Sequence, residues 1–169
     1  MEIPCRGFKP KIAENVFIAD GAKIIGDVII GENSSVWFNS VLRGDVAPIR
    51  IGSKTNIQDN AVIHGTWNKA AATLGDNVTI GHSAILHGCT IGDQCLIGMG
   101  AIVMDHAKIG ANSIVGAGSL VTEGSEFPEG SLILGRPAKR LRGLTDEEFA
   151  FLLQSAENYL TYKSWYTEN

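Results

Sequence analysis

The feature that most constrains the fold is an aliphatic residue at every sixth position. The series contains eighteen positions and three slips of register: Ile12, Ile18, Ile24, Ile30, Val36, Leu42, Ile51, Ile57, Ile63, Leu74, Ile80, Leu86, Ile91, Ile97, Val103, Ile109, Val115 and Val121. Neither an amphipathic helix nor a free alternating strand has a period of six. A hexad is typical of a coil in which each repeat is a short strand plus a corner, and three repeats make one triangular turn.

Eighteen positions therefore predict about six stacked coils. Their backbones pair as parallel strands about 4.8 Å apart, and the aliphatic side chains point into the prism. Glycine, present 20 times, or a small polar residue tolerates the corners. We predict a mostly β fold, a parallel β-helix over residues 1–135.

The repeat fades after about residue 122, and a helix follows. Thr145 and Glu148 form a T-x-x-E capping box. An apolar stripe follows at spacings of three and four: Phe149, Leu152, Leu153, Ala156 and Leu160. We predict a C-terminal α-helix over 145–166, packed along the outside of its own prism or a neighbour's, after a linker over 136–144.

Charge, hydropathy and cysteine content limit the kinds of partner and the cellular compartment that we expect. The formal net charge of −4 gives no electrostatic reason to expect nucleic acid or an anionic membrane. No apolar run approaches the roughly 18–20 residues that span a bilayer. The first residues lack a secretory pattern. The three cysteines, Cys5, Cys89 and Cys95, are therefore expected to be reduced thiols in a cytoplasmic protein; ligation of a metal by the last two lacks the usual CxxC spacing.

Three histidines fall at related positions of the repeat. His64 and His87 each directly follow a core residue on the third face of adjacent coils, so they should be stacked neighbours. His82 lies on the second face and is expected to reach the equivalent pair on a neighbouring chain, which a threefold arrangement would repeat three times. Three neutral imidazoles leave one open position on a tetrahedral ion, as in catalytic zinc sites. The alternative is a set of exposed corner histidines.

Polar residues surround these positions. Arg43 precedes His64 by one coil; it is either an exposed loop residue or the partner of an acid, Asp45 or one across an interface. Asp59 lies one coil below His82, where it can accept an imidazole N–H. Gln58 has an amide suited to orienting a bound hydroxide or substrate oxygen. A polar turn would also explain the last two.

The segments VLRGD, NIQDNAVIHG and TIGHSAILHGCTIG, in this order on a hexapeptide coil, resemble the γ-class carbonic anhydrases and their bacterial homologues. The resemblance covers nearly the whole chain. It implies a left-handed β-helix and a homotrimer with three metal sites between subunits. It also implies that His64 and His87 of one subunit and His82 of the next bind the metal, and that Arg43 and Asp45 form an intersubunit ion pair.

The resemblance assigns further roles. Gln58 matches the residue that hydrogen-bonds the metal-bound hydroxide or bicarbonate, Asn56 and Asp59 match nearby polar positions, and Tyr159 is similar to a tyrosine that approaches from the helix. The implied metal is Zn²⁺, although three imidazoles also suit Fe²⁺ or Co²⁺. The implied reaction is reversible hydration of CO2 to bicarbonate by a metal-bound hydroxide.

Two departures from the most active members of this family predict slow turnover. Those members have glutamates near the site, whereas the insertion GTWNKAAAT, residues 65–73, has no acid and Val46 follows Asp45.

Three other functions stay open at this point: CoA-dependent acyl transfer, metal-assisted hydrolysis of an acyl-CoA thioester, and a trimeric scaffold with little or no activity.

Overall fold

The computed structural model describes residues 1–167 as a coiled prism of short strands followed by one helix. The first half of the prism contains β1 (Glu2–Ile3), β2 (Lys11–Ile12), β3 (Phe17–Ile18), β4 (Lys23–Ile30), β5 (Ser35–Val36), β6 (Val41–Ile51), β7 (Asn56–Ile57), β8 (Val62–His64), β9 (Ala72–Leu74) and β10 (Thr79–Ile80). The second half contains β11 (Ile85–His87), β12 (Thr90–Ile91), β13 (Leu96–Ile97), β14 (Ile102–Val103), β15 (Lys108–Ile109), β16 (Ile114–Val115), β17 (Leu120–Val121), β18 (Glu126–Phe127), β19 (Ser131–Gly135) and β20 (Ala138–Gly143).

These strands form three faces, in which all neighbours pair in parallel except β19 and β20. The second face is an eight-stranded sheet in the order β20-β19-β16-β13-β10-β7-β5-β3. The first face contains β2, β9, β12, β15 and β18, and the third contains β1, β8, β11, β14 and β17. The long strands β4 and β6 run around the corner between the first and third faces, so these two faces form one twelve-stranded sheet. At that corner Gly26 has φ +73°, and a Cβ there would lie 2.5 Å from the carbonyl oxygen of Gly44.

The hexad series forms the core of the prism. Sixteen of its eighteen residues are buried, and the other two, Ile12 and Ile18, lie partly buried in the first coil. Residues of successive coils stack in register, as Ile57, Ile80 and Ile97 do on the second face. Burying one such side chain stabilises the fold by about 1.5–3 kcal/mol relative to leaving it exposed to water. The predicted β-helix is confirmed, and an incomplete seventh coil adds Phe127 and Ile133.

Corners between the strands use left-handed backbone. Asn33, Asn60 and Asn77 have φ between 56° and 61°, a conformation that asparagine tolerates better than most residues. Backbone hydrogen bonds still connect coil to coil at these corners, as from the Asn77 N–H to the Ser53 carbonyl at 2.9 Å. The corners therefore keep the strands of successive coils in register.

The chain leaves the prism through a hairpin. Strand β20 pairs antiparallel with β19, so the range that the sequence assigned to a linker, 136–144, contains a strand. The capping box forms as the sequence predicts: the Thr145 N–H donates to Glu148 Oε2 at 2.9 Å, and the Glu148 N–H donates to Thr145 Oγ1 at 3.3 Å. Helix α1 then spans Asp146–Thr167.

Helix α1 packs on the second face of its own prism through a narrow strip. Leu152, Ser155 and Ala156 are buried against that face, whereas Phe149 and Leu153 of the predicted apolar stripe are exposed. Only part of the stripe therefore contacts the chain's own coils. No helix in the described part of the chain combines the length and apolarity needed to cross a bilayer.

Candidate metal centre

Two histidines meet on the third face. His64 and His87 end strands β8 and β11 and are direct register partners, because each follows a core residue in adjacent coils. Their rings lie at 64° to each other, and His64 Nδ1 is 3.2 Å from His87 Nε2. The stacked pair predicted from the repeat is therefore present.

In each ring, the nitrogen that does not face the other ring, here called the outer nitrogen, contacts a carboxylate. His64 Nε2 lies 3.0 Å from Asp45 Oδ1, and His87 Nδ1 lies 2.5 Å from Asp105 Oδ1. Because an ionised carboxylate only accepts hydrogen bonds, the outer nitrogen of each ring is the one that bears hydrogen. In neutral rings the two inner nitrogens then face each other with lone pairs, an arrangement that a cation between them would stabilise.

The spacing of the inner nitrogens fits a metal ion. Two imidazole nitrogens bound at roughly 2.0–2.1 Å with a tetrahedral angle lie about 3.3 Å apart, close to the observed 3.2 Å. Carboxylates on the far nitrogens are the usual partners of metal-binding histidines, since they fix the tautomer and raise the basicity of the ring. His64 and His87 could thus hold two positions of a metal.

Asp105 is a residue that the sequence interpretation missed. It follows Val103 by two positions in the coil after that of His87, so it lies on the other side of the histidine pair from Asp45, which follows Leu42 by three positions. Its place in the coil next to His87 was the available signal. Thr66, in the insertion after His64, donates its hydroxyl to Asp105 Oδ2 at 2.5 Å and so connects the insertion to His87.

Arg43 forms an ion pair within the chain. Its Nη1 lies 2.6 Å from Asp45 Oδ2, and its Nη2 lies 3.5 Å from His64 Nδ1. Partial burial would raise the pKa of Asp45, but hydrogen bonds from His64 and Arg43 outweigh it and hold that pKa below its ordinary value. For Asp105, burial is likewise outweighed by hydrogen bonds from Thr66 and His87, and the pKa is lowered. Both carboxylates are therefore ionised at neutral pH.

The third histidine lies on the second face with its own carboxylate. His82 Nδ1 is 2.7 Å from Asp59 Oδ2. Asp59 lies one coil below His82, as the sequence predicts. Asp59 is fixed in turn by the Phe38 N–H, at 3.2 Å from its Oδ1. Within residues 1–167, no group of three or more His, Cys, Asp or Glu side chains is arranged to hold a metal ion. One chain therefore presents two candidate ligands at one place and a third candidate at another.

Two concave surfaces adjoin His82. A cleft of about 240 Å³ is lined by His82, Asp59 and an aromatic group: Trp37, Phe38, Tyr159, Tyr162, Trp165 and Tyr166. A larger groove of about 400 Å³ runs between the second face and α1, and Gln58 and His82 line it together with mostly apolar side chains. The predicted residues Gln58 and Tyr159 therefore both lie beside His82.

Burial and hydrogen bonding define these neighbours of His82. Gln58 is buried, and its Nε2 donates to Oδ1 of the buried Asn56 at 3.2 Å. The ring of Tyr159 packs edge-on against Trp37, with centroids 5.4 Å apart. Burial, with the nearby negative charge of Asp59, raises the pKa of Tyr159 to about 12, so its hydroxyl is protonated at neutral pH.

The two core cysteines have no place in this site. Cys89 and Cys95 are buried free thiols, and burial raises the pKa of each to about 12. A thiol with such a pKa is neither a ready nucleophile nor a ready thiolate ligand. Both act as small apolar residues of the core.

Comparison with known proteins agrees with this description. The family model "Bacterial transferase hexapeptide (six repeats)" matches residues 9–44, 71–101 and 88–123. A carbonic anhydrase of Geobacillus kaustophilus is 48% identical over 166 residues, covering 98% of this chain and 91% of the relative. Gamma carbonic anhydrase 2, mitochondrial, of Arabidopsis thaliana is 48% identical over 156 residues, 89% of this chain.

The lengths of the relatives differ from that of this chain. The chain spans only 56% of the Arabidopsis protein. Among solved structures, a hexapeptide transferase family protein from Anaplasma phagocytophilum superposes with a TM-score of 0.94 at 48% identity, over 98% of both chains. Hexad core, paired histidines and these similarities together place the chain in the γ-class carbonic anhydrase family of hexapeptide-repeat proteins.

Proposed function

We propose that this protein catalyses the reversible hydration of CO2 at metal sites shared between the subunits of a homotrimer. The observation that carries the proposal is the His64–His87 pair, whose facing nitrogens are 3.2 Å apart and whose outer nitrogens contact Asp45 and Asp105. His82, oriented by Asp59, would complete the site from the neighbouring subunit. The relatives named carbonic anhydrase support the reaction.

Zn²⁺ is the metal we propose, with Fe²⁺ and Co²⁺ also compatible with three imidazole ligands. When bound, zinc acts as a Lewis acid that lowers the pKa of a water molecule to about 7 and so supplies a nucleophile at neutral pH. The chain's own contribution is to keep the ligand nitrogens deprotonated. Asp45, Asp105 and Asp59 do this by accepting the hydrogen on the other nitrogen of each ring.

Residues beside His82 would bind and orient the substrate. Gln58 holds a neutral amide next to His82 and can accept a hydrogen bond from the oxygen that attacks CO2 or from bicarbonate. Tyr159, protonated at neutral pH, offers a hydroxyl donor from the aromatic cleft. The mostly apolar groove suits CO2, which has no charge and no hydrogen to donate.

Exposed apolar side chains near both halves of the site support its assembly between chains. Met99, 58% exposed, lies in the groove with His82. Ile85 and Met104 are exposed on the third face, within two residues of His87 and Asp105 in sequence. Large apolar residues near two polar half-sites are typical of surfaces that a partner covers. We propose that these surfaces face each other in the trimer.

Slow proton transfer would limit turnover. The insertion from Gly65 to Thr73 has no acidic residue. The residue that follows Asp45 is Val46, which has no carboxylate. A fast enzyme of this type needs a group that carries the proton from the site to buffer. We therefore propose that the rate depends on external buffer. The cytoplasmic location also stays a prediction.

Acyl-CoA chemistry is a second candidate. The groove of about 400 Å³ beside His82 is larger than CO2 requires and is mostly apolar, as an acyl chain would need. The hexapeptide transferase family name of the Anaplasma structure agrees with this candidate. Release of free CoA from acetyl-CoA or longer acyl-CoAs, measured with a thiol reagent, would distinguish it from CO2 hydration.

A subunit-mixing experiment tests the shared site directly. His82→Ala and His87→Ala chains should each lack CO2 hydration in stopped-flow assays and fail to retain zinc. When the two are unfolded together in equal amounts and refolded, three quarters of random trimers contain both, and each mixed ring has one intact site. Roughly a quarter of the wild-type activity and of the high-affinity zinc should return. Mixed samples as inactive as their parents would contradict the shared site.

A further inference from the structure

A chain of buried hydrogen bonds connects helix α1 to Gln58. Ser155, the buried serine of α1, has its Oγ 3.2 Å from Thr79 Oγ1. Thr79 Oγ1 accepts a hydrogen bond from Asn56 Nδ2 at 2.9 Å, and Asn56 Oδ1 accepts one from Gln58 Nε2 at 3.2 Å. All four side chains are buried. We call this set, Ser155, Thr79, Asn56 and Gln58, the relay.

The relay has a defined direction. Asn56 Nδ2 also lies 3.5 Å from the backbone carbonyl of Val78, and a carbonyl can only accept. The amide nitrogen of Asn56 must therefore face Val78 and Thr79, and its oxygen must face Gln58. Because Thr79 Oγ1 accepts from Asn56, its own hydrogen is free to go to Ser155 Oγ. Each group thereby fixes the next.

This direction determines which end of Gln58 faces the groove. Since Nε2 is occupied by Asn56, Oε1 is the end left to accept a hydrogen bond beside His82. The reverse orientation would place two amide nitrogens or two oxygens against each other inside the protein. An unpaired buried polar group is costly, so the relay strongly favours one orientation.

We propose that Thr79 and Ser155 are positioning residues that keep the Gln58 amide oxygen directed into the site, and that α1 is thereby a part of the catalytic apparatus. The proposal rests on the function proposed above for its consequence in catalysis, but the orientation of Gln58 can be measured without any activity. Thr79 and Ser155 lie 76 residues apart in sequence, and their contact depends on the docking of α1.

The central variant is Thr79→Val, which keeps the shape of the side chain and removes the hydroxyl. Asn56 Nδ2 then retains only the longer contact to Val78, and the Asn56 and Gln58 amides can reorient. Loss of one such hydrogen bond should lower kcat about 5- to 10-fold with KM changed less than twofold. Ser155→Ala, one step further from Gln58, should lower kcat about 2- to 4-fold. Thr79→Ser restores the hydroxyl and should recover most of the rate.

Selective ¹⁵N-glutamine labelling gives a readout that does not depend on activity. The side-chain amide signals of Gln58 should shift or broaden in Thr79→Val and return toward their wild-type positions in Thr79→Ser. Gln94 and Gln154, the other glutamines, lie outside the relay and serve as internal references. Ser164→Ala is the matched control on α1, because within residues 1–167 the Ser164 hydroxyl bonds inside the helix, to the Thr161 carbonyl at 2.9 Å.

The outcomes separate the relay from the proposed reaction. Shifted Gln58 signals in Thr79→Val, with Ser164→Ala unchanged, would support the relay even if the wild-type protein hydrated no CO2. Gln58 signals that are the same in wild type, Thr79→Val and Ser155→Ala would overturn it, whatever the enzymatic rate. Equal kcat values for folded Thr79→Val and wild type would overturn its catalytic consequence.

Discussion

Removing each of the three carboxylates that contact the histidines should weaken zinc binding, and removing Asp45 should weaken it most. Asp105→Ala deletes the acceptor 2.5 Å from His87 Nδ1, and loss of such a partner typically costs 10- to 100-fold in metal affinity, about 1.4–2.7 kcal/mol. Asp59→Ala deletes the acceptor 2.7 Å from His82 Nδ1 and should cost a similar factor.

Asp45→Ala should have the largest effect. It removes the acceptor of His64 and also leaves the Arg43 guanidinium, 3.5 Å from His64 Nδ1, without its counter-charge. Two positive unit charges 4–6 Å apart repel by about 1 kcal/mol in bulk water and by about 3–4 kcal/mol at the dielectric of a protein surface. The affinity should therefore fall by 100-fold or more. The double variant Arg43→Ala/Asp45→Ala removes the stranded charge and should recover affinity to about the level of Asp105→Ala.

Competition with a chromophoric chelator measures these affinities, and the mass of each variant in solution shows whether its assembly is intact. The expected result is the largest loss in Asp45→Ala, similar smaller losses in Asp105→Ala and Asp59→Ala, and partial recovery in the double variant. If all three variants bound zinc as tightly as wild type, the carboxylates would have no role in holding the imidazoles. If the double variant were no better than Asp45→Ala, the repulsion argument would be wrong.

Three further results are expected. Leu86→Ala leaves a void in the fully buried core between Ile63 and Val103 and should destabilise the fold by about 2–5 kcal/mol in urea unfolding, whereas truncation of the exposed Leu141 should cost little. Glu148→Gln should lower the melting temperature at neutral pH; since hydrogen bonds and charge from Arg142 depress the pKa of Glu148 from 4.5 to about 2, the difference from wild type should shrink as pH falls from 4.5 toward 2. The CO2 hydration rate should rise with imidazole buffer concentration and reach a plateau; a rate independent of buffer would show an efficient internal proton path.

The sequence predicts most of the fold because one period specifies it. An aliphatic residue at each sixth position needs a turn of three equal sides, and stacking then follows from the parallel pairing of successive coils. The same count places His64 beside His87 and Asp59 below His82, as the structure has them. The capping box that begins α1 is local and equally visible.

Features without a period were not predictable in this way. Strand β20 pairs antiparallel with β19 and leaves the hexad count, so the sequence indicated a linker there. The apolar stripe of α1 gave no means of knowing that Leu152 would be buried while Phe149 and Leu153 stay exposed. Which side of a helix meets its own chain depends on the surface it docks on. The contact between Ser155 and Thr79 depends on the same docking.

Counting coils could have predicted a carboxylate beside His87, because Asp105 follows Val103 in the next coil. Four successive coils each contribute one side chain along the third face, in the order Asp45, His64, His87 and Asp105. The two carboxylates therefore enclose the two imidazoles. Successive strands lie about 4.8 Å apart, yet the inner nitrogens are 3.2 Å apart, because the rings lean toward each other. Carboxylates that pulled on the outer nitrogens alone would draw the rings apart. Rings that converge against that pull fit the proposed role as ligands of a common ion, so the spacing of these nitrogens, rather than the presence of histidines, supports the proposed metal site.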